Sequence, residues 1–206
     1  MTTTPPRRAT CAACLRAESA CICRFVTPLA SRVELLVLQH PLEVHNAKNS
    51  ARLLHLCLAS SRLLAGEAFD AAELDAALHA DGRTPLLLYP QLPGEAALGL
   101  PAPPGIDPVL LARPESLRLV LLDATWRKSR KMLYLNPSLQ RLPRLALRDL
   151  PPSAYRIRKA HAPDQFSSLE AAAHALIQLE NSPEHYAPLF ASFDRFVEQQ
   201  SERFRA

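Results

Sequence analysis

The 206-residue sequence predicts an α/β fold, a sheet with flanking helices, preceded by a small N-terminal segment built on four cysteines. Three observations predict it. Runs of aliphatic residues at 33–38 (VELLVL), 86–89 (LLLY) and 117–122 (LRLVLL) have the character of strands buried on both faces, and segments of helical period follow the first and last of them. Each run stops abruptly at residues with chemistry to offer: Gln39-His40-Pro41, Tyr89-Pro90 and Asp123-Ala124-Thr125-Trp126. Cys11, Cys14, Cys21 and Cys23 fall within thirteen residues at the start, as CxxC followed by CxC.

The N-terminal cysteines come first in the chain. Four thiols so close together cannot easily pair as two unstrained disulfides. Tetrahedral zinc takes four thiolates and stiffens a segment too short to bury a core of its own. The spacing therefore points to a closed, structural zinc site, with free thiols or an iron–sulfur cluster as the alternatives. A metal with four protein ligands has no open position for catalysis. The expected division is 1–30 for this segment and 31–206 for the main domain. The fifth cysteine, Cys57, sits in an apolar helical pattern and reads as core.

The first strand, 33–38, leads into a polar turn where Glu43, His45, Lys48, Asn49 and Ser50 crowd together, the kind of strand end opening into a polar helix N-terminus that forms a ligand rim. Residues 46–64 then follow a helical period, with His55 on the expected surface and Gly66 as the stop. Residues 69–80 give a short Ala-rich helix ended by the Asp81-Gly82 turn. After the strand at 86–89, six prolines and three glycines between 91 and 114 predict a surface loop. The central strand, 117–122, is followed by a helix running to Asn136-Pro137, and 142–147 reads as one more strand, broken by Asp149-Leu150-Pro151-Pro152. The stretch 155–159 (YRIRK) alternates an aromatic and an aliphatic residue with three cations. Ser167 and Glu170 stand at capping-box spacing before a helix that runs to Glu180. A last amphipathic helix from Pro183 to about residue 203 packs through Leu189, Phe190, Phe193, Phe196 and Val197.

Composition limits what the chain can do. A hydrophobic content of 48% supports a real core, and no apolar run is long enough to span a membrane. The polar start MTTTPPRRAT leads into no signal-like apolar region, which points to a cytoplasmic protein. Neither a P-loop nor GxGxxG is present, so nucleotide-phosphate cofactors find no support. Net charge is only +4, but residues 113–159 carry twelve Lys or Arg against three acids, a local net of +9. That excess points to a polyanion, nucleic acid foremost, against the alternative of a solvated basic face.

The densest chemistry lies at 117–137, LRLVLLDATWRKSRKMLYLNP. A buried strand ends on Asp123, and Arg127, Lys128, Arg130 and Lys131 then give four cations in five positions just past Trp126. Open α/β sheets place ligands at such strand ends. The plainer alternative is that Asp123 or Thr125 caps the helix and Trp126 fills core.

Taken together, the CxxC and CxC cluster, LQHPLEVHNAKNS at 38–50, LLLYP at 86–90, LLDATWRKSRKML at 121–133, YRIRK at 155–159 and SSLEA at 167–171 resemble the DTW-domain family of tRNA-uridine aminocarboxypropyltransferases. The DxTW signature stands here as Asp123, Ala124, Thr125 and Trp126, and the family's Ser-Thr-Leu-Glu-Ala reads Ser-Ser-Leu-Glu-Ala. The resemblance implies a SPOUT-related fold and S-adenosylmethionine as donor. It implies transfer of a 3-amino-3-carboxypropyl group to N3 of a tRNA uridine, with release of 5′-methylthioadenosine. Asp123, Thr125 and Trp126 are then the catalytic candidates, with Asp123 able to take or share the N3 proton. The expected donor site is Leu38, Gln39, His40, Pro41, Leu88, Tyr89, Pro90, Leu122, Ser168 and Leu169. Arg127, Lys128, Arg130, Lys131, Tyr155, Arg156, Arg158 and Lys159 would meet RNA, with Trp126 or Tyr155 stacking on a splayed base. Zinc would sit on Cys11, Cys14, Cys21 and Cys23. The competing functions are an S-adenosylmethionine-dependent RNA methyltransferase and a zinc-containing RNA-binding module without catalysis.

Overall fold

Residues 9–90, 101–148, 150, 153 and 166–205 are described by the structure, a computed structural model. Its five strands are β1 (Glu34–Gln39), β2 (Ser61–Ala65), β3 (Thr84–Leu88), β4 (Leu117–Asp123) and β5 (Arg144–Leu145). They form one sheet in the order β2-β1-β4-β3-β5, with every pairing parallel. The helices are α1 (Ala51–Cys57), α2 (Ala71–His79), α3 (Pro108–Leu111), α4 (Trp126–Leu135), α5 (Pro137–Gln140), α6 (Ser168–Glu180) and α7 (Pro183–Arg205).

The continuous aliphatic runs are explained by a core on each face of the sheet. Alternation along β1 and β4 sends Leu35, Val37, Leu119 and Leu121 to the side of α1, α6 and α7. It sends Leu36, Leu38, Val120 and Leu122 to the side of α2, α4 and α5. The four-cysteine segment is docked on the first of these cores through Ile22 and Phe25. Leu189, Phe193, Phe196 and Val197 of α7 are buried there as well, with Phe190 partly buried against them. Cys57 is core, as its pattern predicts.

Several expectations are corrected. The helix predicted over 46–64 spans only Ala51–Cys57, and residues 61–65 are an edge strand paired to β1, Leu35 opposite Ser61 through Gln39 opposite Ala65. Leu63 and Leu64 fit a helical period, but Ser61 Oγ bonds the Leu58 carbonyl at 2.6 Å and meets His55 Nδ1 at 2.8 Å, local bonds that compete with continuing the helix. His55 is consequently half-buried rather than a free surface group, and burial pushes its imidazole pKa down. Gly66 follows a strand, not a helix, and Phe69 Cε1 lies 2.6 Å from where its Cβ would stand. The strand predicted over 142–147 contracts to Arg144–Leu145 at the edge beside β3. Within the proline-rich stretch, 108–111 form one helical turn, because Asp107 accepts from Val109 N–H and Pro108 occupies the first position.

Charge is also internal. Arg118, near the start of β4, is fully buried: it pairs with Glu34 at 2.7 Å and donates to the carbonyls of Ala77 and Leu78, each at 2.8 Å, at the end of α2. Arg144 is buried too, its guanidinium 5.4 Å from the Tyr89 ring centroid. Two of the twelve cations counted in the basic stretch therefore belong to the scaffold. Among the described residues, no helix is long and apolar enough to cross a membrane.

Candidate active site

β1 and β4 are neighbours at the centre of the sheet, and their last residues, Gln39 and Asp123, stand opposite each other. α1 leaves on one face and α4 on the other, so the two strand ends open into the crevice where the chain direction switches. Asp123 is only 3% exposed there. Its Oδ1 accepts from Ser168 Oγ at 2.5 Å, and its Oδ2 accepts from Gln39 Nε2 at 2.8 Å and Asn49 Nδ2 at 2.6 Å. Burial raises its pKa, while the hydrogen bonds from Ser168, Gln39 and Asn49 pull the other way.

The surrounding elements free those donors for the task. Ser167 and Glu170 form the capping box of α6, which leaves the next hydroxyl, that of Ser168, to face Asp123. Leu169 N–H donates to Ser50 Oγ at 3.2 Å, tying α6 to the start of α1. α4 begins after Thr125, whose side chain makes no capping bond, and the Asp123 carboxylate is engaged by Gln39, Asn49 and Ser168. The helix-cap alternative fails for both residues. Trp126 does not fill core either: it is 48% exposed and stacks on Tyr89 with centroids 5.2 Å apart and planes 11° apart.

Beside this point lies a cavity of ≈ 510 Å³ lined by His40, Pro41, Leu42, Glu67, Arg127, Lys128 and Lys131. Glu67 organises it. Leu42 N–H donates to His40 Nδ1 at 3.1 Å, which leaves Nε2 as the N–H facing Glu67 Oε1 at 3.0 Å. Lys131 Nζ reaches the other Glu67 oxygen at 2.8 Å, and Lys128 Nζ reaches Glu43 at 3.0 Å. The Lys131 bond, then the His40 bond, holds the Glu67 carboxyl below its ordinary range. Arg127 and Arg130 are exposed and form no ion pair among the described residues.

The expected donor-site residues gather at this one sheet edge. Leu38, Gln39, Leu122 and Leu88 are the last or next-to-last residues of their strands, with His40, Pro41, Tyr89 and Pro90 just beyond. Leu38 and Leu169 are fully buried in the two opposite cores and back the site from behind. Of the expected RNA residues, Arg127, Lys128, Arg130 and Lys131 lie on the first turns of α4. Tyr155, Arg156, Arg158 and Lys159 lie outside the described residues. The sequence places Glu43, Asn49 and Ser50 at a ligand rim without giving them individual roles, and Glu67 was not read as part of the site. Asn49, Glu43 and Ser50 had a signal in the polar crowding of 43–50; Glu67, alone in a turn, had none.

The four cysteines converge, with their sulfurs all within 4.8 Å of one another, Cys11 to Cys23 at 3.6 Å and Cys14 to Cys21 at 3.8 Å. A tetrahedron with zinc–sulfur arms of about 2.3 Å has edges of about 3.8 Å, so the spacing suits a tetrahedral thiolate site and is far too long for disulfides. Hydrogen bonds from the backbone of Cys14 and Ala13 lower the Cys11 pKa to about 6, and burial pushes Cys23 up to about 12.

The sequence profile of the DTW domain matches residues 8–201. A mouse (Mus musculus) protein called tRNA-uridine aminocarboxypropyltransferase 2 is 32% identical over 183 residues, covering 85% of this chain and 58% of the relative. Proteins of the same name from Macaca fascicularis and Drosophila melanogaster are 28% and 30% identical, covering 85% and 87% of this chain. The chain spans 58% of the length of the mouse and macaque relatives and 70% of the fly relative. No solved structure matches.

Proposed function

We propose, from the premise that this chain belongs to the DTW domain family, that it transfers the 3-amino-3-carboxypropyl group of S-adenosylmethionine to N3 of a uridine in tRNA. The observation that carries the reading is the buried Asp123 carboxylate at the β1/β4 switch point, set between Ser168, Gln39 and Asn49 and next to the exposed Trp126. In the transfer, uridine N3 forms a bond to the γ-carbon of the aminocarboxypropyl group. The carbon–sulfur bond breaks with its electron pair going to sulfur, and 5′-methylthioadenosine leaves.

Asp123 takes or shares the N3 proton, a role that its raised pKa suits. Gln39, Asn49 and Ser168 fix the direction from which its oxygens can act. Trp126, backed by Tyr89, offers an aromatic face to a base pulled from its stack. Arg127 and Arg130, with Lys128 and Lys131 beside the cavity, hold the phosphate backbone. The strand ends Leu38–Pro41 and Leu88–Pro90 with Ser168 and Leu169 frame the donor, and the choice between methyl and aminocarboxypropyl transfer is one of which carbon beside the sulfonium they present. Cys11, Cys14, Cys21 and Cys23 hold structural zinc in a segment, residues 1–30, that serves the 31–206 domain. The sheet belongs with the SPOUT-related folds, and the protein works in the cytoplasm on tRNA.

Incubation with tRNA and S-adenosylmethionine labelled in its carboxyl group tests this. Label in tRNA is the expected result. In a parallel incubation with methyl-labelled S-adenosylmethionine, label in tRNA from that donor alone makes the protein a methyltransferase, and transfer from neither donor leaves an RNA-binding module.

A further inference from the structure

We infer that Arg16 is a positioning residue through which the four-cysteine segment sets the geometry of the Asp123 site. Arg16 belongs to the turn that presents the sulfurs. Its carbonyl accepts from Cys11 N–H at 2.8 Å, and Leu15 N–H closes back onto the Cys11 carbonyl at 2.9 Å. Leu15 takes a left-handed conformation, φ 59°, which a leucine keeps only where its surroundings impose it. The backbone of Arg16 is therefore fixed by the same knuckle that holds Cys11 and Cys14.

Its side chain leaves that knuckle and crosses to the rim of the site. Nη1 donates to the Ala47 carbonyl at 2.6 Å and Nη2 to the Asn49 carbonyl at 2.8 Å, while the guanidinium lies 5.0 Å from the Phe196 ring centroid on α7. Asn49 is the residue whose side chain reaches Asp123 Oδ2 at 2.6 Å. The turn it belongs to, between β1 and α1, is held by short-range bonds such as Lys48 N–H to Asn46 Oδ1 and Asn49 N–H to the Asn46 carbonyl. Asn49 Oδ1 accepts from Arg52 N–H at 3.2 Å and Gln39 Nε2 at 3.4 Å, while the Ala47 and Asn49 carbonyls are left to Arg16. It lies outside every strand and helix. A planar guanidinium gripping two carbonyls of one turn fixes both its position and its rotation, which a single ammonium cannot do. The links run from Cys11 through Arg16 and Asn49 to Asp123.

α7 steadies the far side of the same segment. Gln199 donates to the Cys21 carbonyl at 3.2 Å and Arg203 to that of Ser19. The segment is thus held from α7 and reaches forward with Arg16, the arrangement of a bracket and not of a tail. Loosening the cysteine cluster should be felt at Asn49 before it is felt in the sheet.

The test compares wild type, Arg16→Ala, Asn49→Ala and the double variant, each as the full chain with its metal. Hydrogen exchange at Lys48 and Asn49 should be about tenfold or more faster in Arg16→Ala, the scale of a lost charge-assisted hydrogen bond. Exchange in β1 and β4 and zinc per chain should stay at the wild-type values. Stripping zinc from wild type with a chelator should reproduce the faster exchange at 48 and 49, and should add nothing there in Arg16→Ala. If Arg16→Ala does not fold, Arg16→Lys, which can serve one carbonyl at a time, takes its place. Wild-type exchange at 48 and 49 in the folded variant, or an equal response to chelation with and without Arg16, overturns the inference.

A second arm rests on the transfer activity proposed above. There Arg16→Ala should lower kcat about tenfold with KM for tRNA unchanged, and should have no further effect in an Asn49→Ala background. Additive losses in the double variant overturn the inference. Failure of wild type to transfer anything overturns the proposed activity and leaves the exchange arm to decide on Arg16.

Discussion

At the scale of single residues, Asp123 combines a cost with a task. A buried carboxylate with a raised pKa binds its proton more tightly in the folded protein than in the unfolded chain, so its ionisation opposes folding. That opposition is absent below the unfolded value of 3.8, grows as pH rises through the folded pKa, and is constant above it. Asp123→Asn should therefore melt higher than wild type at neutral pH, by about 2–4 °C for each kcal/mol recovered, with the difference closing as pH falls toward 4. The replacement fits: an amide oxygen in the Oδ2 position still accepts from Gln39 and Asn49, and an amide nitrogen in the Oδ1 position donates to the Ser168 hydroxyl. In a transfer assay the same variant should lose at least about 100-fold in kcat, the scale of general-base catalysis. A variant that is both more stable and nearly as active would remove Asp123 from the chemistry.

At the scale of elements, α4 is the RNA-facing helix of the proposal, and its four cations are not equivalent. Lys128 and Lys131 are tied to Glu43 and Glu67, so reversing either leaves an acid facing an acid and disturbs the cavity itself. Arg127→Glu and Arg130→Glu are the cleaner probes. Each should weaken tRNA binding and lower the slope of log K against log salt by about 0.7–0.9 for every phosphate left without its cation, with S-adenosylmethionine affinity unchanged in a titration. β4 supplies a test of scaffold charge. Arg118→Met strands the Ala77 and Leu78 carbonyls and leaves Glu34 to the partly exposed Arg83, so it should cost about 3 kcal/mol, read as a drop of roughly 6–12 °C in Tm. The same elements show what a sequence reveals. β1, β3 and β4 were legible because strands buried on both faces are dominated by runs of aliphatic residues, even with Glu34 and Arg118 among them. β2 was not, because an edge strand is half-exposed and its paired leucines satisfy a helical period equally well. Arg118 counted toward a polyanion surface because charge is visible in a sequence and burial is not. The contacts of Asn49 with Asp123 and of Glu67 with Lys131 were not legible because the partners lie 74 and 64 residues away.

For the molecule as a whole, the expected metal makes the N-terminal segment conditional. Native protein should carry about one zinc per chain by elemental analysis, and Cys14→Ser should lose it and release residues 9–25 to proteolysis while the sheet stays folded. A metal-free native protein with an intact N-terminal segment would remove the zinc. The central pairing of the sheet carries a different consequence, one of timing. Gln39 and Asp123 are 84 residues apart in the chain, yet the site exists only where they meet. β2 can pair with β1 soon after both are synthesised, but the other edge of β1 has no partner until β4 emerges. Until then an aliphatic strand with one open edge is available for pairing with other chains. Parallel sheets closed across such distances fold slowly, since the entropy of a long loop is given up before any pairing compensates it. A nascent chain halted before residue 117 thus holds one half of the site on an open, apolar strand edge, a species for chaperones.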